Sequence, residues 1–514
     1  MHSWKRENPN GGDTIIEKVL IANRGEIAVR IMTACQELGI ETVAIYSDVD
    51  AASPHVKLAD EAYALGEPEP LNSYLNIDKV VQATSETGAD AIHPGYGFLA
   101  ENPEFAQRCE KEGIIFVGPD SEVIRLMGHK IEAKTTIKKA GVPVIPGYHG
   151  GDQDVTTLIE KGLEIGFPLL IKAASGGGGK GMRVVNRKDD LKEFIESCKR
   201  ESLKAFGDDS VFLEKYVDKP RHVEFQILGD RHGNMIHLFE RECSIQRRHQ
   251  KIIEETPSPV LTPELREEMG DAAVKAAKAV GYNNAGTVEF MVDADKNYYF
   301  LEMNTRLQVE HPVTEFVTGV DLVKWQLRIA SGQELTIEQN HLIQRGHAIE
   351  CRIYAEDPLH EFLPSTGVIH CIEVPEGVNI RNDSGIELGT EVTSYYDPLL
   401  SKLAVHAETR SEAIEKMIWA LSNYVVLGVT TNTGFLRKVL AHKEFRNGNI
   451  TTHFLDDHHE LFSPPGLPDE ALISAALAEM LRLAPESAGQ EARAVVTAAD
   501  PYSPWKTSGS WSNV

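Results

Sequence analysis

Short apolar runs alternating with a helical periodicity organise the first quarter of the chain. Lys18-Val-Leu-Ile-Ala22 reads as a strand, and Asn23-Arg24-Gly25-Glu26 turns from it into a helix with apolar positions at Ile27, Val29, Ile31 and Leu38. Gly39 stops that helix, and Thr42-Val-Ala-Ile-Tyr46 is the next strand. The rhythm returns at Ala89–His93 and Ile114–Val117, which predicts a parallel sheet over roughly residues 18–125. Its first turn lacks Gly-x-Gly-x-x-Gly, so the pattern alone gives no dinucleotide site.

Beyond residue 130 the texture changes. Lys130–Ala140 is a helix leading to Gly141-Val-Pro143 and Pro146-Gly147. Residues 145–215 alternate short strands and helices around a glycine loop, and residues 220–350 hold longer strands. From His347 to Phe454 strands and turns continue, with a helix near Ser411–Tyr424. After Ser463-Pro-Pro-Gly-Leu-Pro468, Glu470–Leu483 is one amphipathic helix with Leu472, Ile473, Ala476, Leu477, Met480 and Leu481 on a single stripe. The fold class is α/β with α+β elements.

Composition narrows the function classes. The 514 residues are 42% hydrophobic and 25% charged, an ordinary globular balance with room for several domains. A net charge of -25 argues against nucleic-acid and anionic-membrane partners. An anionic substrate must therefore meet a local basic pocket. Six scattered cysteines with no Cys-x-x-Cys read as reduced and structural. Met1–Glu17 is polar, without an apolar signal core, and is expected to be a disordered extension. A soluble cytoplasmic protein is the expectation.

Phe167-Pro-Leu-Leu-Ile-Lys172 is a strand ending on a lysine, followed by Ala173-Ala-Ser-Gly-Gly-Gly-Gly-Lys180-Gly181 and a second strand, Met182-Arg-Val-Val185. A P-loop needs Gly-Lys-Ser/Thr opening a helix, which is absent here. A hairpin lid fits better, with backbone N–H groups closing on phosphate oxygens and Lys172 and Lys180 adding charge. A flexible surface turn is the plainer alternative.

Thr287–Val292 and Tyr298–Met303 are two strands joined by Asp293–Asn297. If the hairpin is symmetric about Asp295-Lys296, Glu289 faces Glu302. Such carboxylates repel unless a divalent cation lies between them, and Mg2+ prefers a few carboxylates together with substrate phosphates. A loop of odd length would instead send one glutamate to solvent. Glu302, Asn304, Arg306, Gln308 and Glu310 then fall on every second position, with Leu301, Met303, Leu307 and Val309 between them. In an extended segment the polar set lines one face, where it can bind metal, grip a planar oxyanion and offer a base.

Gln246-Arg-Arg-His-Gln-Lys251 is a basic run that in so acidic a chain reads as a local anion site. In the strand Ala348–Tyr354, Arg352 pointing inward would be a buried cation needing an anionic partner.

These motifs together resemble the biotin carboxylases, the ATP-grasp component of biotin-dependent carboxylases. The matching stretches are Ile21–Ala28, His93–Phe98, Arg125–Gly128, the glycine loop, Gln246–Lys251, Glu302–Val313 and Ile349–Ile353, spanning roughly residues 18–455. The resemblance implies an ATP-grasp fold. It would have an N-terminal Rossmann-like parallel-sheet domain (18–131), an ATP-grasp domain (132–346) with a mobile glycine-loop lid at about 145–215, and a C-terminal biotin carboxylase domain (347–458). An extension (1–17) and a linker and tail (459–514) complete the expected plan.

It also implies the reaction. ATP phosphorylates bicarbonate to carboxyphosphate, which breaks down to CO2 and phosphate. Phosphate then takes the N1 proton of biotin, and biotin attacks CO2. By matching position, Lys130 and Lys172 hold ATP phosphates under a lid of Gly177, Gly178, Gly179, Lys180 and Gly181, while Glu214, Lys215, Tyr216 and Val217 meet the adenine. His222, Gln246, His249 and Lys251 line the nucleotide and phosphate site. Glu289 and Glu302, with Asn304 beside them, ligate Mg2+ (or Mn2+). Arg306, Gln308 and Val309 position bicarbonate, Glu310 is its base, and Arg352 stabilises deprotonated biotin. The loop departs from some relatives, which carry a fifth glycine and an arginine where Lys180 stands.

No Ala/Ser-Met-Lys-Met biotin-attachment motif occurs. The resemblance then implies a free-standing subunit that works with a separate biotin carboxyl carrier protein and a carboxyltransferase subunit, with a truncated chain as the alternative, and the habit of the family implies a homodimer. Two rivals stand beside this reading: another ATP-grasp carboxylate ligase, which would share the lid and the metal glutamates, and a nucleotide-binding regulatory subunit that has lost catalysis. The second would be marked by loss of Lys251, Glu310 or Arg352, and all three are present.

Overall fold

Gly39, left-handed at φ 72°, ends helix α1 (Gly25–Leu38), and its N–H and that of Ile40 close on the carbonyls of Gln36 and Cys35. That stop lays β2 (Glu41–Ser47) parallel to β1 (Lys18–Ile21). With β3 (Glu61–Gly66), β4 (Ala91–His93) and β5 (Ile115–Phe116) they form an all-parallel sheet in the order β3-β2-β1-β4-β5. Alternate residues of β1 serve its two faces: Val19 and Ile21 pack with Ile27 and Ile31 of α1, and Leu20 packs with Val80 and Phe105. The computed structural model describes residues 16–174, 182–248, 250–463 and 469–483. The expected extension is shorter than 1–17. Ile16 is buried in the core, and the N–H groups of Glu17 and Lys18 both donate to Asp90.

The lid body is a four-stranded antiparallel sheet, ordered β6 (Gly147–Tyr148), β9 (Val211–Lys215), β7 (Leu169–Ala173), β8 (Arg183–Val185). It carries its own core of Leu158, Leu169, Ile171, Val185, Leu191 and Ile195. The antiparallel β7–β8 pair bears out the two flanks of the expected hairpin. The loop tip, including Gly177–Gly181, lies outside the described residues.

One long sheet carries the rest. Its strands are β10 (Arg221–Gly229), β11 (Met235–Arg247), β12 (Gln250–Thr256), β13 (Asn284–Val292), β14 (Tyr298–Asn304), β15 (His347–Tyr354) and two more, Leu399–Ala407 and Ile380–Ser384. The order is β14-β13-β10-β11-β12-β15, then Leu399–Ala407, then Ile380–Ser384. Because β12 pairs antiparallel with β15, the boundary expected at 346/347 falls inside a continuous sheet, and the segments expected as three domains share one compact unit reaching Phe462. The expected tail also starts later than residue 459: Leu461 is buried, and the Phe462 ring lies 5.2 Å from that of Phe435.

The second unit, described by itself, contains the helix Asp469–Leu483, whose Leu472, Ile473, Leu477 and Met480 are exposed. Among the described residues no helix is long and apolar enough to cross a membrane. The six cysteines are free thiols.

Candidate active site

A cleft of about 1210 Å³ runs between the parallel sheet, the lid body and the long sheet. It is lined by most of the residues that the sequence singled out.

The β13–β14 hairpin sets its metal-like end. The turn is centred on Asp295, with Val292 facing Tyr298, rather than on Asp295-Lys296, and it is a one-residue register shift between Glu289 and Phe290 that brings Glu289 directly across from Glu302. Glu289 is buried. Its Oε1 accepts from Asn304 Nδ2 at 2.7 Å, Lys251 Nζ at 2.8 Å and Gln308 Nε2 at 3.2 Å. Its Oε2 lies 2.9 Å from His222 Nε2. Glu302 is more open, with Lys130 Nζ at 3.5 Å. Two facing hard-oxygen carboxylates at the wall of a phosphate-sized cleft fit a Mg2+ ion.

Beyond Asn304 the expected alternation fails as geometry. The strand ends there, and residues 305–310 bend across to the helix His311–Thr318, with Glu310 as its N-cap residue. A two-residue period therefore places only Glu302 and Asn304. Arg306, Gln308 and Val309 still reach the cleft because the crossing segment runs along its floor. Arg306 is held by Glu101, Nε to Oε2 at 2.9 Å, and donates to Gln308 Oε1 at 3.0 Å.

Lys251 is the hub. Its Nζ donates to Glu224, to Glu289 at 2.8 Å and to Glu310 Oε1 at 2.8 Å. Burial opposes its charge, but the three carboxylates hold its pKa well above the ordinary lysine range. Burial would likewise raise Glu310, yet Lys251 and Arg352 hold it well below the usual carboxylate range. Arg352 is buried, the case in which the sequence reading requires an anionic partner. Its Nε donates to Glu254 at 2.6 Å and its Nη2 to Glu310 Oε2 at 2.9 Å. Burial depresses His222, but the Glu289 carboxylate outweighs it and leaves the imidazole raised.

At the lid end, Lys215, Tyr216 and Val217 line the cleft. Glu214 is fully buried and already partnered: Lys134 at 2.6 Å, Lys172 at 2.8 Å and His149 at 3.1 Å. Burial is overcome by Lys134 and Lys172, which keep its pKa well below the ordinary value. Lys172, expected at phosphate, thus has a protein counter-ion, and Glu214 faces lysines. Gln246 donates to the Cys243 carbonyl at 2.7 Å and sits 2.7 Å from His222 Nδ1. His249 and the glycine-loop tip lie outside the described residues.

Sequence reasoning missed Glu101, Lys134, Arg241 and Glu254. Lys134 had a signal, one helical turn after Lys130 on the same helix. The others had none, because their partners are distant in sequence.

A second set of donors, His442, His458 and Glu460, converges near the surface. It is satisfied without an ion. His442 Nδ1 accepts from the Glu444 N–H, so Nε2 carries the proton and reaches Glu460 at 3.1 Å, and His458 Nδ1 is 3.2 Å from the same oxygen.

The geometry agrees with what the chain resembles. Three family models match it: "Biotin carboxylase, N-terminal domain" over residues 15–124, "Carbamoyl-phosphate synthase L chain, ATP binding domain" over 129–338 and "Biotin carboxylase C-terminal domain" over 350–457. Biotin carboxylase 2 of Bacillus subtilis is 51% identical over 441 residues, which is 86% of this chain and 99% of the relative. The alpha subunit of the mitochondrial methylcrotonoyl-CoA carboxylase of Dictyostelium discoideum is 50% identical over 497 residues, 96% of this chain and 70% of the relative. Among solved structures, the biotin carboxylase domain dimer of Hydrogenobacter thermophilus 2-oxoglutarate carboxylase, in complex with MgADP, ADP and bicarbonate, matches at TM-score 0.85 and 50% identity, covering 88% of this chain and 99% of that one. A cleft that gathers facing carboxylates, a lysine hub and an inward arginine, on a chain half identical to these proteins along most of its length, shows that the chain belongs to the biotin carboxylase family.

Proposed function

We propose that this ATP-dependent biotin carboxylase carboxylates biotin borne on a separate carrier protein, as a homodimeric subunit that works in the cytoplasm with a carboxyltransferase. The subunit reading is supported by relatives named as carboxylase subunits, such as the 2-oxoglutarate carboxylase small subunit of Hydrogenobacter thermophilus, 50% identical over 99% of its length. The final acceptor belongs to the carboxyltransferase component.

The observation that carries the chemistry is Glu310 between Lys251 and Arg352. Both cations line the cleft, so an anion entering beside them competes with Glu310 for their charge. Bicarbonate is positioned by Arg306, Gln308 and the Val309 backbone, and Glu310 takes its proton. The bicarbonate oxygen then attacks the γ-phosphorus of ATP, and ADP leaves. Carboxyphosphate splits to CO2 and phosphate, phosphate removes the N1 proton of biotin, and N1 bonds to CO2. Arg352 balances the negative charge that develops on the ureido oxygen. Lys130, Lys172 and the loop Gly177–Gly181 hold the ATP phosphates, with His222, Gln246, His249 and Lys251 along the nucleotide and phosphate site. Lys215, Tyr216 and Val217, with Glu214 behind them, form the adenine end.

Glu289 and Glu302, with Asn304 beside them, would hold Mg2+, which when bound neutralises phosphate oxygens and orients them for in-line attack. Glu289→Gln is expected to raise the Mg2+ concentration needed for half-maximal turnover by roughly tenfold, read from metal titrations at fixed ATP. Unchanged metal dependence would remove Glu289 from the metal site.

The test of the whole reading is ADP release by the purified chain with Mg-ATP. It should require bicarbonate and rise on adding free biotin. Bicarbonate-independent hydrolysis, or no response to biotin, would instead indicate a different ATP-grasp ligase. Fractionation of native cells tests the compartment, and affinity capture followed by avidin blotting tests the carrier.

A further inference from the structure

Arg352 reaches the cleft from β15 with two anions on one guanidinium. Nε donates to Glu254 Oε1 at 2.6 Å, and Nη2 donates to Glu310 Oε2 at 2.9 Å. The proposed reaction neutralises the second of these. Once Glu310 carries the proton of bicarbonate, it no longer balances Arg352. A guanidinium cannot shed its own proton, and a buried cation left without an anion is strongly unfavourable.

Glu254 holds the other edge of the guanidinium. It sits on β12, fully buried, and does not line the cleft, whereas Arg352 does. The sheet makes this an awkward place for a carboxylate. Glu254 pairs directly across the β12–β15 ladder from Glu350, also fully buried. Neither oxygen of Glu350, nor Oε2 of Glu254, has a hydrogen-bond partner among the described residues. Burial lifts Glu254 to about 7 against the pull of Arg352, and burial lifts Glu350 well above the carboxylate range. An apolar residue at 254 would relieve that repulsion. What the carboxylate supplies is the counter-ion on the Nε edge of Arg352, and the guanidinium's pull on it is no longer opposed by Glu310 once Glu310 is neutralised.

We propose that Glu254 is a positioning residue for biotin carboxylation: it anchors the Nε edge of Arg352 so that the Nη2 edge stays aimed into the cleft when Glu310 is neutralised, free to meet the ureido oxygen of deprotonated biotin. This rests on the reading of Glu310 as base and Arg352 as the biotin-facing cation. Asn432 supports the same geometry from the main chain, its Nδ2 donating to the Arg352 carbonyl at 2.9 Å and its Oδ1 accepting from the Tyr354 N–H at 2.9 Å.

A double-mutant cycle on the full chain, with free biotin as the probe, tests it. Glu254→Gln keeps an acceptor and removes the charge. It should raise the KM for biotin at least fivefold and leave the KM for Mg-ATP within threefold. Arg352→Ala should raise the biotin KM further, and adding Glu254→Gln to it should change nothing more, because Glu254 acts only through that guanidinium. Glu254→Asp, which restores the charge, should recover part of the loss. Additive effects in the cycle, or equal behaviour of the Gln and Asp variants, would overturn the inference, and a biotin KM untouched by Glu254→Gln while Arg352→Ala raises it would do so too. If Arg352→Ala itself leaves the biotin KM unchanged, the assignment of Arg352 falls first and the anchor with it. If Glu254→Gln fails to fold, Glu254→Asp against Arg352→Ala completes the comparison, and a biotin KM that the Asp variant shifts as much without Arg352 as with it would overturn the proposal.

Discussion

Glu310→Gln is expected to lower bicarbonate-dependent ATP hydrolysis by ~100-fold or more, about 2.7 kcal/mol of transition-state stabilisation, with nucleotide affinity nearly unchanged. The geometry explains why the effect should be confined to chemistry. Each cation that Glu310 holds keeps another anion when its charge is removed: Lys251 retains Glu224 and Glu289, and Arg352 retains Glu254. Gln is nearly isosteric, so the fully buried site stays filled. Lys251 and Arg352 keep Glu310 well below the usual carboxylate range, so it is ionised throughout the neutral region. Such a carboxylate is a weak base until substrate arrives. Bicarbonate and the ATP phosphates then draw on the same two cations, weaken their hold on Glu310 and raise its proton affinity at the moment a proton must move. Steady-state ADP release with and without bicarbonate, beside equilibrium ATP binding, measures both halves. Near-normal turnover in the variant would mean that another group is the base.

Much of this site was legible along the chain, and the parts that were not share a cause. The β13–β14 hairpin is local, so the pairing of Glu289 with Glu302 was legible, although the turn is centred on Asp295 and a register shift that no sequence symmetry announces completes the match. That a buried Arg352 needs an anionic partner followed from its residue type within a strand, although the whole strand proves buried and alternation alone does not turn it inward. Alternation misled where it was carried past Asn304, because a period of two holds only while the chain stays extended, and the segment that follows turns into a helix. The supporting partners were out of reach for another reason. Arg352 meets Glu254 only because β12 and β15 are neighbours in the long sheet, and 98 residues separate the two. Arg306 meets Glu101 across the cleft's wall, 205 residues away in sequence. Residue types and spacings mark the groups that face substrate. Strand order decides which buried charge stands behind each of them, and only the family resemblance identified the anion as bicarbonate and the acceptor as biotin.

Lys251→Met should be the most damaging single change in the cleft, with loss of bicarbonate-dependent turnover on the order of 10³-fold and about 3 kcal/mol of stability. The ammonium has three protons, and each is spent on a different buried carboxylate: Glu224, Glu289 and Glu310. Its folded pKa lies above its unfolded value near 10.5, so its contribution to stability is whole at neutral pH and is lost only as the pH rises through the folded value. Methionine fills much the same volume but leaves the cluster short of one positive charge. Glu224 retains Arg241 at 2.6 Å, Glu289 retains His222, and Glu310 retains Arg352, so the fold should survive with raised carboxyl pKa values. That rise is itself the lesion, since a Glu310 that binds a proton in the free enzyme cannot take one from bicarbonate. Lys251→Arg should recover stability better than turnover, because a planar guanidinium fork cannot direct three donors at three converging carboxylates. Thermal unfolding of the two variants beside their ADP release rates separates the effects, and a Met variant within tenfold of the parent turnover would show that the lysine is not the centre of the cluster.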